Sequence, residues 1–268
     1  MRDLRVSLVQ AATLWHDAAA NRALYGELVR GLADRGDLVV LPETFTSGFS
    51  NDAVGRAETM EGDSVAWLRA LAREVCSVVT GSMVVREGER VFNRLLWARP
   101  DGSVEWYDKR HLFRMAGEHT RYAGGEARPV FELHGWRVLP QVCYDLRFPV
   151  WTRNRFDAAL QRLDYDLALF VANWPAARRY AWRTLLRARA IENLSYVVGV
   201  NRVGIDGNEI AYAGDSAALD PLGQPLVELG AQAQTVTCTL SAQALQQHRE
   251  RFPAQLDADL FTLDTGSR

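Results

Sequence analysis

Apolar residues along this chain fall into short continuous runs and into longer stretches where they recur every three or four positions. The runs predict buried strands and the longer stretches predict helices. Leu4 to Val9 reads as a strand. Ala18 to Leu32 reads as a helix in which Asn21, Arg22, Glu27 and Arg30 supply the polar face, and Leu38 to Leu41 as a strand stopped by Pro42. Ser64 to Val75 has Trp67, Leu68, Leu71 and Val75 at helical spacing. Val78 to Val85 and Val91 to Ala98 are β-prone runs divided by Arg86-Glu87-Gly88-Glu89, which predicts a hairpin, and Pro100-Asp101-Gly102 turns the chain into Val104 to Tyr107. Further strands are expected at Trp136 to Val142, Leu167 to Ala172 and Tyr196 to Val200, with short β segments around Ala217, Leu226 and Val236. Helices are expected at Trp151 to Leu163, Trp182 to Asn193 and Ala242 to Glu250.

This order contains βα units together with consecutive strands joined by hairpin turns. A purely parallel sheet has no use for the hairpins, so the pattern predicts an α/β fold with mixed sheets, two of them packed together with helices outside. No repeat, low-complexity tract or interdomain linker interrupts residues 1–268, which read as one domain ending in a tail from Arg251 to Arg268. Phe252, Leu256, Leu260 and Phe261 are the tail's candidates for docking. The Gly-rich polar loop from Met115 to Pro129 reads as a site loop.

Composition narrows the classes of function. With 31 basic and 33 acidic residues the net charge is -2, which gives no basic field for a nucleic acid backbone. No apolar run reaches the roughly 20 residues that a membrane helix needs, and the opening MRDLRVSLVQ has no long apolar leader. The three cysteines, Cys76, Cys143 and Cys238, form no CxxC pair and no disulfide framework. A reducing, cytoplasmic compartment is the expectation. Neither metal nor cofactor is expected: the histidines at 16, 111, 119, 134 and 248 lack metal-ligand spacing, and no Gly-rich phosphate loop follows a suitable strand.

Three apolar segments end in a reactive side chain: LVVLPE at Glu43, SVEWYDK at Lys109 and VLPQVC at Cys143. Strand ends on one side of a sheet converge in space, and α/β proteins place sites there. Cys143 stands between a strand and the polar Tyr144-Asp145-Leu146-Arg147, where free backbone N–H groups at a strand-to-helix turn would favour thiolate and an oxyanion. Composition alone makes a lone cysteine a buried structural residue more often than a nucleophile, and Cys76 and Cys238 read that way. Glu43 must be paired or hydrogen-bonded if it is buried, and it then suits a general base; its bland alternative is a cap or ion pair. Lys109, a surface charge by default, suits a fixed positive charge over an oxyanion. His111 is the runner-up partner for Cys143.

Taken together, LPETF around Glu43, YDKRHLF around Lys109 and CYDLRFP from Cys143 to Pro149 resemble the nitrilase superfamily of carbon–nitrogen hydrolases. The resemblance implies a four-layer αββα sandwich with Glu43 as general base, Lys109 as oxyanion-stabilising group and Cys143 as nucleophile, with the Tyr144 backbone N–H as second oxyanion donor. It also implies a second glutamate after the lysine strand; Glu118 is the match and Glu126 the fallback. A homodimer is implied by resemblance alone.

The segments WYDKRHLFRMAGEH, ANWP and WRTLLRARAIENLSYVVGVNRVG resemble the bacterial omega-amidase group, which implies hydrolysis of the side-chain amide of 2-oxoglutaramate or 2-oxosuccinamate. Such a small-molecule amide needs a cationic or hydrogen-bonding grip on its distal carboxylate and an apolar wall. Phe45, Phe113, Tyr144, Trp174 and Arg178 are the lining candidates. Arg147 is nearer the nucleophile, and for both arginines bracing through an acidic partner weighs as much as substrate contact. The alternatives are an amidase for another small aliphatic amide or nitrile, and a non-catalytic interaction protein on the same fold.

Overall fold

The computed structural model describes residues 1–259 and 261–263; Leu260 and residues 264–268 of the expected tail lie outside the described residues. In chain order the strands and helices begin with β1 (Leu4–Gln10), α1 (Ala18–Arg30), β2 (Leu38–Val40), α2 (Asp63–Val75), β3 (Val78–Glu87), β4 (Arg90–Ala98) and β5 (Val104–Asp108). Next come β6 (Phe131–Leu133), β7 (Trp136–Val142), α3 (Pro149–Thr152), β8 (Phe156–Asp157), β9 (Arg162–Leu163) and β10 (Leu167–Ala172). The chain continues through α4 (Arg179–Asn193), β11 (Tyr196–Asn201), β12 (Val203–Ile205), β13 (Ala211–Ala213), β14 (Ala217–Leu219), β15 (Pro225–Glu228), β16 (Gln234–Leu240) and α5 (Ala242–Arg251).

Two six-stranded mixed sheets result, in the orders β16-β1-β2-β3-β4-β5 and β15-β14-β11-β10-β7-β6. Alternation along the strands shows how they stack. On β10, Leu167, Leu169 and Val171 join one apolar cluster, while Ala168, Phe170 and Ala172 join another with Trp182 and Leu186 of α4. The first cluster also holds Leu4, Val6 and Leu8 of β1 and Val138 and Val142 of β7, so it is the seam between the sheets. Val9, Val39 and Val79 face the opposite way, onto Tyr25 and Val29 of α1 and Leu68 and Leu71 of α2. Helix, sheet, sheet and helix therefore form four layers. Strands buried on both faces lose the apolar–polar alternation of a surface strand, which is why β10 is an unbroken apolar run.

Strand direction positions the site. β1, β2 and β3 run parallel, and β5 regains their direction after two antiparallel pairings. In the other sheet β7, β10 and β11 run parallel. The residues that follow β2, β5, β7 and β10 are Glu43 within three positions, then Lys109, Cys143 and Asn173 directly.

One expected helix is not formed. The stretch from Trp151 to Leu163 is instead the last residues of α3 followed by the small β8–β9 hairpin. The tail also differs from expectation, because Phe252 and Leu256 are mainly exposed while Leu263 packs against the inter-sheet core.

Candidate active site

Glu43 leaves β2 after Pro42 and is completely buried. Its Oε1 accepts hydrogen bonds from Asn93 Nδ2 at 2.8 Å and Lys109 Nζ at 3.0 Å, and its Oε2 accepts the Asn173 backbone N–H at 2.6 Å. The Asn173 side chain donates to the Glu43 carbonyl and to Thr44 Oγ1, so both ends of Glu43 are fixed. The Thr44 backbone, with φ 41°, then turns the chain away.

Lys109 follows β5, and its backbone N–H extends the ladder to the Asn93 carbonyl. Its ammonium meets Glu118 Oε1 at 2.9 Å and Oε2 at 3.0 Å as well as Glu43, and it sits 5.2 Å from the centre of the Phe49 ring. Burial opposes this charge, but Glu118, Glu43 and Cys143 outweigh burial and hold the ammonium well above the ordinary lysine range. Burial pushes the Glu118 carboxyl up, Lys109 pulls it down and Glu43 adds to the rise. Each contact made by Glu118 comes from a donor: Lys109 to both oxygens, and the Phe113 N–H to Oε2 at 2.6 Å. That is the pattern an ionised, acceptor-only carboxylate requires.

Cys143 occupies the sharp turn out of β7, with φ 44°, a left-handed conformation rarely adopted by residues other than glycine. Residues Cys143–Arg147 then form a single 3₁₀ turn. The Tyr144 N–H lies in the first positions of that turn, where amides have no partner within the helix. The sulfur lies 3.9 Å from the Asn173 carbonyl, and the thiol is raised well above its usual range, first by burial and then by the Glu43 charge, while Lys109 opposes the rise. Burial and the neighbouring carboxylate both favour the protonated thiol over the thiolate.

One pocket is lined by Glu43, Lys109 and Cys143 together with Phe113, Tyr144, Arg147, Trp174 and Arg178. The Arg147 guanidinium lies 4.9 Å from the Trp174 ring centre and that of Arg178 lies 5.3 Å from Phe113. Neither arginine forms an ion pair among the described residues, so bracing through an acidic partner is not what holds them. Phe45 is a correction. It is fully buried in the core beneath α1 and α2, against Tyr25 and Trp67, and the pocket aromatic from that loop is Phe49. The Ser47 and Gly48 N–H groups both bond to the Thr44 carbonyl, a tight turn that reverses the chain between the two phenylalanines. Glu126 is exposed and lines a neighbouring groove, which leaves Glu118 as the partner of Lys109. His111 also lines that groove, with its Nδ1 2.7 Å from Asp145 Oδ1 and its ring stacked on Phe148. Asn93, Asn173, Phe49 and Tyr212 enter the site without having been singled out from the sequence; an Asn directly after an apolar strand, as at Asn173, was the one available signal.

Residues 5–250 match the family model of carbon–nitrogen hydrolases. The chain belongs to the carbon–nitrogen hydrolase family. It is therefore an enzyme family member of the class that cleaves carbon–nitrogen bonds, with the mixed α/β sandwich of the nitrilase superfamily. Among relatives of this hydrolase, the Omega-amidase YafV of Escherichia coli K12 is 47% identical over 264 residues, covering 98% of this chain and all of that protein. The 2-oxoglutaramate amidase of Bacillus subtilis is 33% identical over 221 residues, or 81% of this chain and 83% of the relative. A CN-hydrolase superfamily protein from Xanthomonas campestris, solved with an arsenic adduct in its active site, superposes with a TM-score of 0.96 at 62% identity, covering 98% of this chain and 100% of the other. Among the described residues no helix is long and apolar enough to cross a membrane.

Proposed function

We propose that this hydrolase is an omega-amidase that removes ammonia from the side-chain amide of 2-oxoglutaramate or 2-oxosuccinamate through a thioester on Cys143. The observation that carries the reading is a single pocket holding a thiol, a buried glutamate and a buried ammonium, whose wall presents two guanidinium groups without an acidic partner among the described residues. Names carried by the relatives agree with it.

Glu43 takes the Cys143 proton as the sulfur attacks the amide carbonyl, both groups lining the same pocket. Charge then appears on the carbonyl oxygen. Lys109 and the Tyr144 N–H are the donors assigned to it, and Glu118 keeps the lysine charged and aimed. The proton on Glu43 passes to the departing amine, so ammonia leaves as a neutral molecule. Glu43, a carboxylate again, draws a proton from water, which hydrolyses the thioester and returns the thiol. Arg147 and Arg178 take the distal carboxylate while Phe49, Phe113 and Trp174 wall the carbon chain. A homodimer in the cytoplasm belongs to the same proposal; Tyr180 and Ile191, mainly exposed on α4, offer apolar surface for pairing.

The test is ammonia release from 2-oxoglutaramate, glutamine, asparagine and simple aliphatic amides, with C143A alongside. Preference for the keto-acid amide and an inert C143A are expected. No preference would remove the substrate assignment, and full turnover by C143A would remove the thioester route.

A further inference from the structure

Asp145 lies two residues after Cys143 and is completely buried, yet it touches neither the pocket nor the Glu43–Lys109–Glu118 group. Its four hydrogen bonds reach two separate stretches of chain. Oδ2 accepts the Val142 N–H at 3.0 Å and the Tyr107 hydroxyl at 2.9 Å. Oδ1 accepts the His111 N–H at 3.0 Å and meets His111 Nδ1 at 2.7 Å. Val142 immediately precedes the nucleophile, and Tyr107 and His111 flank Lys109 by two residues on either side. One carboxylate thus joins the turn that carries the sulfur, at the end of one sheet, to the segment that carries the ammonium, at the end of the other.

We infer that Asp145 is a positioning residue that sets the spacing between Cys143 and Lys109, an inference that rests on the thioester reading of the same site. Cys143 needs such a device. Its left-handed backbone persists only where the surroundings over-determine it, and the Val142–Asp145 bond closes the turn from within. The clamp on Lys109 is equally direct: the Tyr107 hydroxyl accepts the Arg110 N–H at 3.2 Å and the Trp151 indole N–H at 3.2 Å while it donates to Asp145. The lysine segment is therefore held on both sides by groups whose common anchor is Asp145. His111 finds its place here as part of the clamp, its ring pinned between Asp145 and Phe148.

An asparagine at 145 keeps the shape and has one acceptor oxygen where four donors converge. His111 can switch tautomer and Tyr107 can rotate its hydroxyl, but a backbone N–H cannot. Either Val142 or His111 then loses its acceptor, and the spacing relaxes. A displacement of about an ångström at reacting groups costs on the order of 100-fold in rate.

The experiment compares wild type, D145N, Y107F and D166N for ammonia release and for the rate of Cys143 acylation by intact mass. Asp166 is the control: it is a buried carboxylate with several hydrogen bonds of its own, to Arg137 and Arg249, at the opposite end of β10. The expected result is a fall of about 100-fold in kcat and acylation for D145N with KM changed less than about threefold, a smaller fall in kcat for Y107F, and wild-type kcat for folded D166N whatever its loss of melting temperature. D145N with wild-type acylation would overturn the inference, as would D166N losing kcat in proportion to its stability just as D145N does. An inactive wild type would instead strike the thioester reading, so the two failures are distinct.

Discussion

At Lys109 stability and the proposed oxyanion role rest on the same contacts. Lys109 is 1% exposed and its ammonium is shared by two buried carboxylates, so removing it leaves Glu43 and Glu118 without that cation. Breaking a buried pair costs about 3–5 kcal/mol of stability, and removing an oxyanion donor costs about 10²–10³ in kcat. Lys109→Ala is therefore expected to lose both; a melting temperature unchanged from wild type would show that the carboxylates find protons or water instead. Arg147→Met and Arg178→Met should behave differently. They remove charge-assisted bonds of about 1.5–3 kcal/mol each, which raises KM for 2-oxoglutaramate by roughly 10- to 100-fold while leaving KM for a neutral aliphatic amide unaltered. Equal losses on both substrates would take the carboxylate grip away from these residues. That Glu43, Lys109 and Cys143 share a pocket was legible because each terminates an apolar run, a signal local to the sequence. Asn93 and Asp145 were not, because what marks them is whom they bond across 50 and 34 residues of chain respectively. Phe45 misled for a related reason: its neighbour Phe49 has the same chemistry, and only the turn at Thr44 decides which ring faces the pocket.

Among the elements, strands buried on both faces were readable to within a residue or two, since an apolar run of six leaves little choice of length. The expected helix after Trp151 gives way to a few side-chain hydrogen bonds centred on Asn154. Asn154 is buried; its Nδ2 donates to the Tyr165 and Asn193 carbonyls, its Oδ1 accepts the Tyr165 N–H, and its own N–H goes to Asn193 Oδ1. These tertiary bonds hold the segment extended, and Asp157 caps the β8–β9 turn by accepting the Ala159 and Leu160 N–H groups. Helical spacing cannot reveal a competitor of that kind. Helix α4 depends on a similar detail. Gly199 of β11 lets it approach so closely that a Cβ there would stand 2.7 Å from Leu186 Cδ1 and 2.9 Å from Trp182 Cζ2. Gly199→Ala should cost about 1–3 kcal/mol by overpacking, read from the urea midpoint. Gly55, with open space around its Cβ direction, is the comparison, and Gly55→Ala should leave the midpoint unchanged or slightly higher. Equal effects would mean that the helix has room to move outward.

At the scale of the whole molecule, several buried groups lose a proton only at alkaline pH. Tyr25 is pushed up to about 12, and Tyr107, Tyr122, Tyr165 and Tyr212 are also raised, chiefly by burial. Lys109 is raised by its carboxylates against the pull of burial, and the Cys143 thiol is raised by burial and Glu43. Each of these groups holds its proton more tightly in the folded chain than in the unfolded one. The folded state therefore binds more protons at alkaline pH, and stability falls as pH rises. The contribution is complete below the unfolded values, which begin at 9.0 for the cysteine and continue through 10.0 for tyrosine to 10.5 for lysine, and it drains away as pH climbs toward the folded values. Neutral and mildly basic solution should thus show a plateau, with a steepening loss above about pH 9. C143A removes one of the two thiols that open the slope and leaves in place the tyrosines and Cys238, which burial pushes up to about 11. Urea midpoints for wild type should fall progressively below those for C143A from about pH 8.5 upward, the gap widening for as long as the folded thiol keeps its proton. Parallel curves throughout would mean that the Cys143 thiol ionises alike in the folded and unfolded chains, which would contradict a thiol kept protonated at rest by burial and by the carboxylate beside it.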